Sequence, residues 1–151
     1  MSAPEAGLAG TTRIRVRYAE TDQQGVAHHA AFVVWMEVGR TELLRALGYP
    51  YDRMEAEGLF FPVAEASCRY MAPARYDDEV EIETRARRVQ SRAVTFDYVF
   101  RVAGRPIATG STTLVAVDAR RRPCRIPEAV VRTLGGRAPR GGPAWSGRGT
   151  V

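Results

Sequence analysis

The stretch AAFVVWM, residues 30–36, opens a long helical pattern and is apolar on every side. From about residue 29 to residue 47, apolar or small residues recur at helical spacing and no proline interrupts them. Gly48 and Pro50 then provide a stop. A helix that is apolar all round has to be covered by protein on most sides. This feature predicts a buried central helix whose second, more charged half emerges into water.

Strand patterns lie on both sides of this helix in the sequence. Residues 12–19 alternate strictly, with Ile14, Val16 and Tyr18 on one face and arginines on the other. After Pro62, strand patterns cover residues 63–71, 79–89, 92–102 and 107–117, and short helices are expected over residues 51–58 and 127–134. Because the sheet has to curl to cover the helix, we expect an α+β fold. In this expected fold, a long central helix is wrapped by a curved antiparallel five-stranded sheet.

The length of 151 residues suits one domain with a substantial core. We expect a flexible N-terminus over residues 1–11, the folded domain over residues 12–134, and a disordered tail rich in Gly, Pro and Arg over residues 135–151. A single curved sheet leaves two edge strands and part of the helix uncovered. The sequence therefore predicts a homo-oligomer, either a dimer or a tetramer.

The composition restricts the partners and the location. The net charge is +5 and all 22 basic residues are arginine, which binds phosphate and carboxylate groups well. No helix-turn-helix, zinc spacing or aromatic–basic platform is present, so no nucleic-acid partner is expected. Cys68 and Cys124 lack metal-ligand spacing, and no apolar run reaches the roughly 20 residues of a membrane span. A soluble, cytoplasmic protein with no membrane span, metal or cofactor is expected.

The acid and the histidines at the helix start are the candidate site. The two histidines of the chain, His28 and His29, follow Asp22 by six and seven residues. A helix N-terminus has free N–H groups and a partial positive charge, so it can hold an oxyanion, and a nearby carboxylate can activate water or attack a carbonyl. Asp22 equally suits a simple turn beside Gly25. The residues alone leave both roles open.

The pattern as a whole resembles the hotdog-fold acyl-CoA thioesterases of the 4-hydroxybenzoyl-CoA thioesterase family, especially the branch associated with the Tol–Pal system. The resemblance runs from about Arg13 to Leu134. Its main elements are Tyr18, Thr21, Asp22, Gly25, His29, Phe32, Glu37, Arg40 and Gly48, with support from Pro62, residues 70–73 and Asp78. The chain departs from the family at His28, where an aromatic residue is frequent, at Ala31, where Asn is frequent, and at Gln24, where Gly is frequent.

The resemblance implies hydrolysis of an acyl-CoA thioester to a free acid and CoA. It implies that Asp22 is the catalytic carboxylate, acting as general base or nucleophile, with Tyr18 and His29 as active-site partners. It also implies that the backbone N–H of His29 points at the thioester carbonyl, and that tetramers are built from dimers. Glu37 is a less favoured acid, because it is expected to pair with Arg40 three residues on.

Substrate contacts are expected at two places. Gly25 and His28 are assigned to the substrate pocket. Arg88, Ser91 and Arg92 surround the RRVQSR turn, which suits the phosphates of CoA but equally suits a solvated hairpin end. Two other functions stay open: a hotdog hydratase or dehydratase acting on acyl thioesters, and a non-catalytic acyl-CoA-binding module.

Overall fold

The computed structural model describes residues 8–135, which form one five-stranded antiparallel sheet and three helices. The strands are β1 Ala9–Arg15, β2 Val63–Tyr70, β3 Glu79–Val89, β4 Ala93–Val102 and β5 Arg105–Val115. The sheet order is β1-β3-β4-β5-β2, so the last three strands in sequence stand beside one another and β2 is an edge. The helices are α1 Ala31–Ala46, α2 Tyr51–Ala56 and α3 Glu128–Thr133.

Helix α1 packs closely on the curved sheet, as the sequence predicts. The approach is closest at Gly39, where an added Cβ would lie 2.3 Å from Thr84 Oγ1 and 2.9 Å from Ile82 Cγ2 on β3. Met36 packs in the same way over Gly110 of β5. These two glycines let the helix approach the sheet, and the inward side chains of β3 and β4 fill the remaining core.

The helix is less completely covered than the apolar run predicts. Phe32, Trp35 and Met36 are buried, but Val33 and Val34 are 46% and 53% exposed in the single chain. Edge strand β2 is exposed along almost its whole length, with Cys68 alone half-buried among the residues of this strand. The sequence predicts an oligomer because part of the helix and the sheet edges are left uncovered, and the exposed valines and the β2 edge are such surfaces.

The first strand differs from its predicted position. Strand β1 begins at Ala9, so residues 9–11 of the predicted flexible N-terminus are paired with β3, and it ends at Arg15. Tyr18 is not on the inward strand face: it opens a 3₁₀ turn, Tyr18–Glu20, and is 79% exposed. The strand ends early because Glu20 accepts a hydrogen bond from the Arg17 backbone N–H at 2.8 Å and bends the chain. Residues 1–7 and 136–151, which hold most of the two predicted disordered ends, lie outside the described residues.

Candidate active site

A short hairpin carries Asp22 to the start of α1. His28 N donates to Glu20 O at 2.7 Å, Thr21 pairs with Ala27, and Asp22 N donates to Val26 O at 3.0 Å. At the tip, Gly25 N donates to Asp22 O at 2.9 Å, and Gly25 has a φ of +78°, which favours glycine. The turn expected beside Gly25 is therefore present, and this glycine shapes the loop.

The carboxylate of Asp22 retains one free oxygen. Its Oδ1 accepts a hydrogen bond from Gln24 N at 2.8 Å, which orients the side chain across the turn. Within residues 8–135, no side chain forms an ion pair with Asp22 and no donor reaches its Oδ2. In a regular ladder, positions 22 and 28 of this hairpin are diagonal neighbours, about 7–8 Å apart. A half-buried carboxylate with one oxygen available is therefore on the hairpin that leads into the helix.

The two histidines stand at the N-terminus of α1 and stack on each other. Their ring centroids are 4.1 Å apart with an interplanar angle of 30°. The Nδ1 atom of His28 accepts a hydrogen bond from Ala30 N at 3.1 Å, so the neutral His28 ring carries its proton on Nε2. In the described part of the chain, the backbone N–H of His29 has no acceptor. This N–H is a free donor at the positive end of the helix dipole.

Tyr18 lies beside this loop with its ring in solvent. Its carbonyl accepts hydrogen bonds from Thr21 N at 3.1 Å and Thr21 Oγ1 at 2.7 Å, which hold the residue in the 3₁₀ turn. The ring makes an edge contact with Tyr76, at 5.7 Å between centroids. Tyr18 thus precedes the Asp22 hairpin in a 3₁₀ turn instead of on a strand face, and its role in the site stays a prediction.

The arginine turn lies at the opposite end of the sheet. The Asp22 loop is attached near the start of β3, where Val16 N donates to Asp78 O and Ala27 N donates to Ala74 O. Arg88 is the next-to-last residue of that strand, and Ser91 and Arg92 follow it. Since β3 has 11 residues, its two ends are separated by about 34 Å, at about 3.4 Å per residue. Within one chain, the structure does not bring the arginine turn to the Asp22 loop.

Glu37, the other acid considered, has a partner. Its carboxylate lies 3.7 Å from Arg40 NH2 on the same helix, as the three-residue spacing predicts. Arg40 itself is buried, and burial works against its charge; the hydroxyl groups of Tyr51 and Tyr98 outweigh this effect and raise the pKa of Arg40. Glu37 is thus part of an ion pair with the buried Arg40.

Comparison with known proteins identifies the family. The model of the thioesterase-like superfamily matches residues 16–134. The chain belongs to this family. It is 31% identical over 120 residues to the acyl-CoA thioester hydrolase YbgC of Escherichia coli O6:H1, a match that covers 78% of this chain and 90% of that protein.

Solved structures support the same assignment. A hypothetical protein of Thermus thermophilus, TT1821, is 44% identical with a TM-score of 0.80, and the match covers 83% of this chain and 96% of that one. The DHNA-CoA thioesterase of Staphylococcus aureus is 26% identical with a TM-score of 0.77, covering 86% of this chain and 97% of that one. The hotdog fold and membership of the thioester hydrolases, both expected from the sequence, are confirmed.

Two structural features of this thioesterase-family site were not predicted. Glu20 is a tie between the loop and the helix: its carboxylate accepts hydrogen bonds from Arg17 N at 2.8 Å, Arg17 NH2 at 3.1 Å and Trp35 Nε1 at 3.1 Å. Burial opposes ionisation of Glu20, but these hydrogen bonds and the Arg17 charge outweigh it and lower its pKa. The second feature is Tyr70, whose hydroxyl donates to His29 O at 2.7 Å. The Glu20–Trp35 and Tyr70–His29 bonds join residues 15 and 41 positions apart, so no local sequence signal indicates them.

Neither a metal centre nor a membrane helix is found among residues 8–135. No group of three or more His, Cys, Asp or Glu side chains in this part is placed to hold a metal ion. None of the described helices is long and apolar enough to cross a bilayer.

Proposed function

We propose that the protein hydrolyses acyl-CoA thioesters with Asp22 as the catalytic carboxylate and the His29 backbone N–H as the oxyanion donor. The observation that carries this proposal is the free N–H of His29 at the start of α1, beside a hairpin that presents a free oxygen of Asp22. The family membership supports the reaction class. The relative YbgC, an acyl-CoA thioester hydrolase, supports CoA as the carrier.

The chemistry follows from the two groups. The thioester carbonyl accepts a hydrogen bond from His29 N–H, which stabilises the negative charge that develops on its oxygen. In the general-base route, Asp22 takes a proton from water while the water oxygen forms a bond to the carbonyl carbon. The C–S bond then breaks, and the CoA thiolate leaves and takes up a proton. In the alternative route, the Asp22 carboxylate attacks the carbon itself, the C–S bond breaks and releases the CoA thiolate, and water then hydrolyses the resulting anhydride to the free acid and the Asp22 carboxylate.

Substrate contacts are proposed at both ends of the ligand. Tyr18, Gly25 and His28 surround the reacting end, with the exposed Tyr18 ring and the stacked His28 ring as walls. Arg88, Ser91 and Arg92 hold the CoA phosphates, and because they lie at the far end of β3, they serve the site of another subunit. The proposed setting is the cytoplasm, which suits the two free thiols Cys68 and Cys124.

The proposed assembly explains how a second subunit reaches the site. Strand β2 begins at Val63, beside the end of the sheet that carries the β3–β4 turn, and ends at Tyr70, beside His29. Antiparallel pairing of β2 with β2 of a second copy places the partner's β3–β4 turn at the same end of the joint sheet as His29. The exposed β2 edge and the exposed Val33 and Val34 support a dimer of this kind. Tetramers then form from such dimers.

The test is substitution of the two groups in the same assay. Asp22→Asn keeps the size but removes the base or nucleophile, so we expect kcat for thiol release to fall by at least about 10²–10⁴, the usual scale for a general base. His29→Ala keeps the backbone N–H and is expected to lose less activity. The substrate is the best acyl-CoA from a panel of different lengths and aromaticity, and circular dichroism checks folding.

The outcomes separate the alternatives. A folded Asp22→Asn protein with near wild-type kcat contradicts the assignment and makes Glu37 the acid to test. Hydration of an enoyl-CoA without thiol release indicates the hydratase function instead. Tight acyl-CoA binding without any turnover indicates a binding module.

A further inference from the structure

The backbone of His29 lies just outside α1, one residue before the N-cap Ala30. The first carbonyl that accepts a helical hydrogen bond is that of Ala30, which accepts Val33 N at 3.2 Å. The helix therefore does not fix the His29 carbonyl, which instead accepts the hydroxyl of Tyr70 at 2.7 Å, from the end of edge strand β2.

The Tyr70 bond is a large part of what fixes His29. The preceding residue, His28, is held by two backbone bonds, from its N–H to Glu20 O and from Ala31 N to its carbonyl. His29 has no backbone–backbone bond among residues 8–135, and Tyr70 is the hydrogen-bond partner that the structure shows for it in this range. The orientation of the residue that supplies the free N–H therefore depends on a side chain from another element.

Tyr70 is well suited to this task. Its ring packs edge-on against Phe32, at 5.1 Å between centroids, so the hydroxyl is aimed from a supported ring. Partial burial, together with the neighbouring Cys68 thiol, raises the pKa of Tyr70 to about 12, so the phenol stays protonated and remains a donor near neutral pH. Since the phenol has one proton and it is used on His29, Tyr70 has none left to donate to substrate.

We propose that Tyr70 is a positioning residue that holds the His29 peptide in the orientation needed for its N–H to meet the oxyanion. This inference rests on the proposed function of the His29 N–H. Because Tyr70 is the last residue of edge strand β2, the hydrogen bond also ties the geometry of the site to the strand on which the subunits are proposed to pair.

The experiment is Tyr70→Phe in the full chain, which keeps the ring and its packing on Phe32 and removes the hydroxyl. We expect kcat to fall about 10-fold, less than the 10²-fold loss that a full 1 Å misplacement of a catalytic group can cause. KM should change less than kcat, because an oxyanion contact acts mainly in the transition state. The pH profile of kcat should keep its shape. Amide hydrogen exchange at residues 28–31 should become faster.

Tyr49→Phe is the matched control. Tyr49 is also a tyrosine whose hydroxyl donates one hydrogen bond, to Glu57, and it follows the other end of α1. We expect it to leave kcat and exchange at residues 28–31 unchanged, which separates positioning from a general loss of stability.

The other outcomes overturn the proposal in distinct ways. An unchanged kcat in Tyr70→Phe shows that the hydroxyl does not position the donor. Loss of the alkaline limb of the pH profile shows that Tyr70 acts as an acid or base. Asp22→Asn is measured in the same series. If both variants have full activity, the proposed function fails. If Asp22→Asn loses activity and Tyr70→Phe keeps it, only the positioning role of Tyr70 is rejected.

Discussion

At the scale of single residues, Glu20 shows how a non-catalytic acid supports the site. Its carboxylate joins Arg17, two residues after the first strand, to Trp35 on α1, and the hairpin that carries Asp22 lies between these two residues in the sequence. Neutralising Glu20 therefore weakens the tie that sets the hairpin against the helix. Because hydrogen bonds to a charged group are worth about 1.5–3 kcal/mol each, this tie is a measurable part of the stability.

Glu20→Gln should flatten the acid side of the stability profile. The pKa of Glu20 is lowered in the folded protein, because its hydrogen bonds and the Arg17 charge outweigh the opposing effect of burial. Its contribution to stability is therefore present above the unfolded-state pKa of about 4.3 and lost as pH falls through the lower folded value. Urea unfolding between pH 7 and acid pH measures this: the wild type should lose more unfolding free energy than Glu20→Gln. Glu55→Gln, at an exposed position on α2, is the control and should follow the wild type. Parallel curves for wild type and Glu20→Gln contradict the role.

Prediction from sequence succeeds for residues whose environment is local. The turn at Asp22 and Gly25 and the ion pair of Glu37 with Arg40 follow from neighbours within four positions, so turn chemistry and helix spacing reveal them. The contacts of Glu20 and Tyr70 join distant segments and depend on the packed fold. The catalytic roles of Asp22 and His29 stay predictions.

At the scale of secondary-structure elements, periodicity located the strands and helices well and their ends less well. The predicted helix over about residues 29–47 is α1, and the four later strands lie within two residues of their predicted bounds. The error at Tyr18 has a physical cause, because alternation continues through residue 18 while the Arg17–Glu20 hydrogen bonds bend the backbone. Alternation describes side chains and contains no information about where a competing turn ends the ladder.

Gly39→Ala tests the close packing of α1 on β3. Alanine is the better helix former by about 1 kcal/mol, but its Cβ would lie 2.3 Å from Thr84 Oγ1 and 2.9 Å from Ile82 Cγ2. Overpacking of this kind costs about 1–3 kcal/mol, so we expect net destabilisation in urea unfolding. Thr84 Oγ1 is buried without a hydrogen-bond partner in the described structure, so Thr84→Ala relieves the closer of the two clashes without breaking a hydrogen bond. In the Thr84→Ala background, Gly39→Ala should cost less, by about 0.5–3 kcal/mol. Additive effects would contradict the close contact.

At the scale of the whole molecule, the single chain exposes a strand edge and part of an apolar helix face. Edge strand β2 and the exposed Val33 and Val34 are the features that a second copy would cover. The sequence indicates this need, because unprotected edges and a helix that is apolar all round require it. It does not indicate that the arginine turn and Asp22 lie at opposite ends of the sheet, since that separation follows from the length and pairing of β3. The proposed dimer resolves it by bringing the turn from the partner.

Mixed oligomers test whether one site uses two chains. Asp22→Asn subunits and Arg88→Ala/Arg92→Ala subunits, carrying different tags, are co-expressed and the mixed species is purified. Light scattering should first show a dimer or tetramer, and a stable monomer would contradict the proposed assembly. The Asp22→Asn protein alone should be inactive, and the double arginine variant alone should have a raised KM, because the phosphates are remote from the carbonyl.

If the arginine turn serves the partner's site, the mixed species joins an intact Asp22 to an intact turn and gains activity with wild-type KM. If each turn serves its own chain, the mixed species shows only the raised KM of the arginine variant. Equal KM for the double variant and the wild type would instead place the CoA phosphates away from this turn.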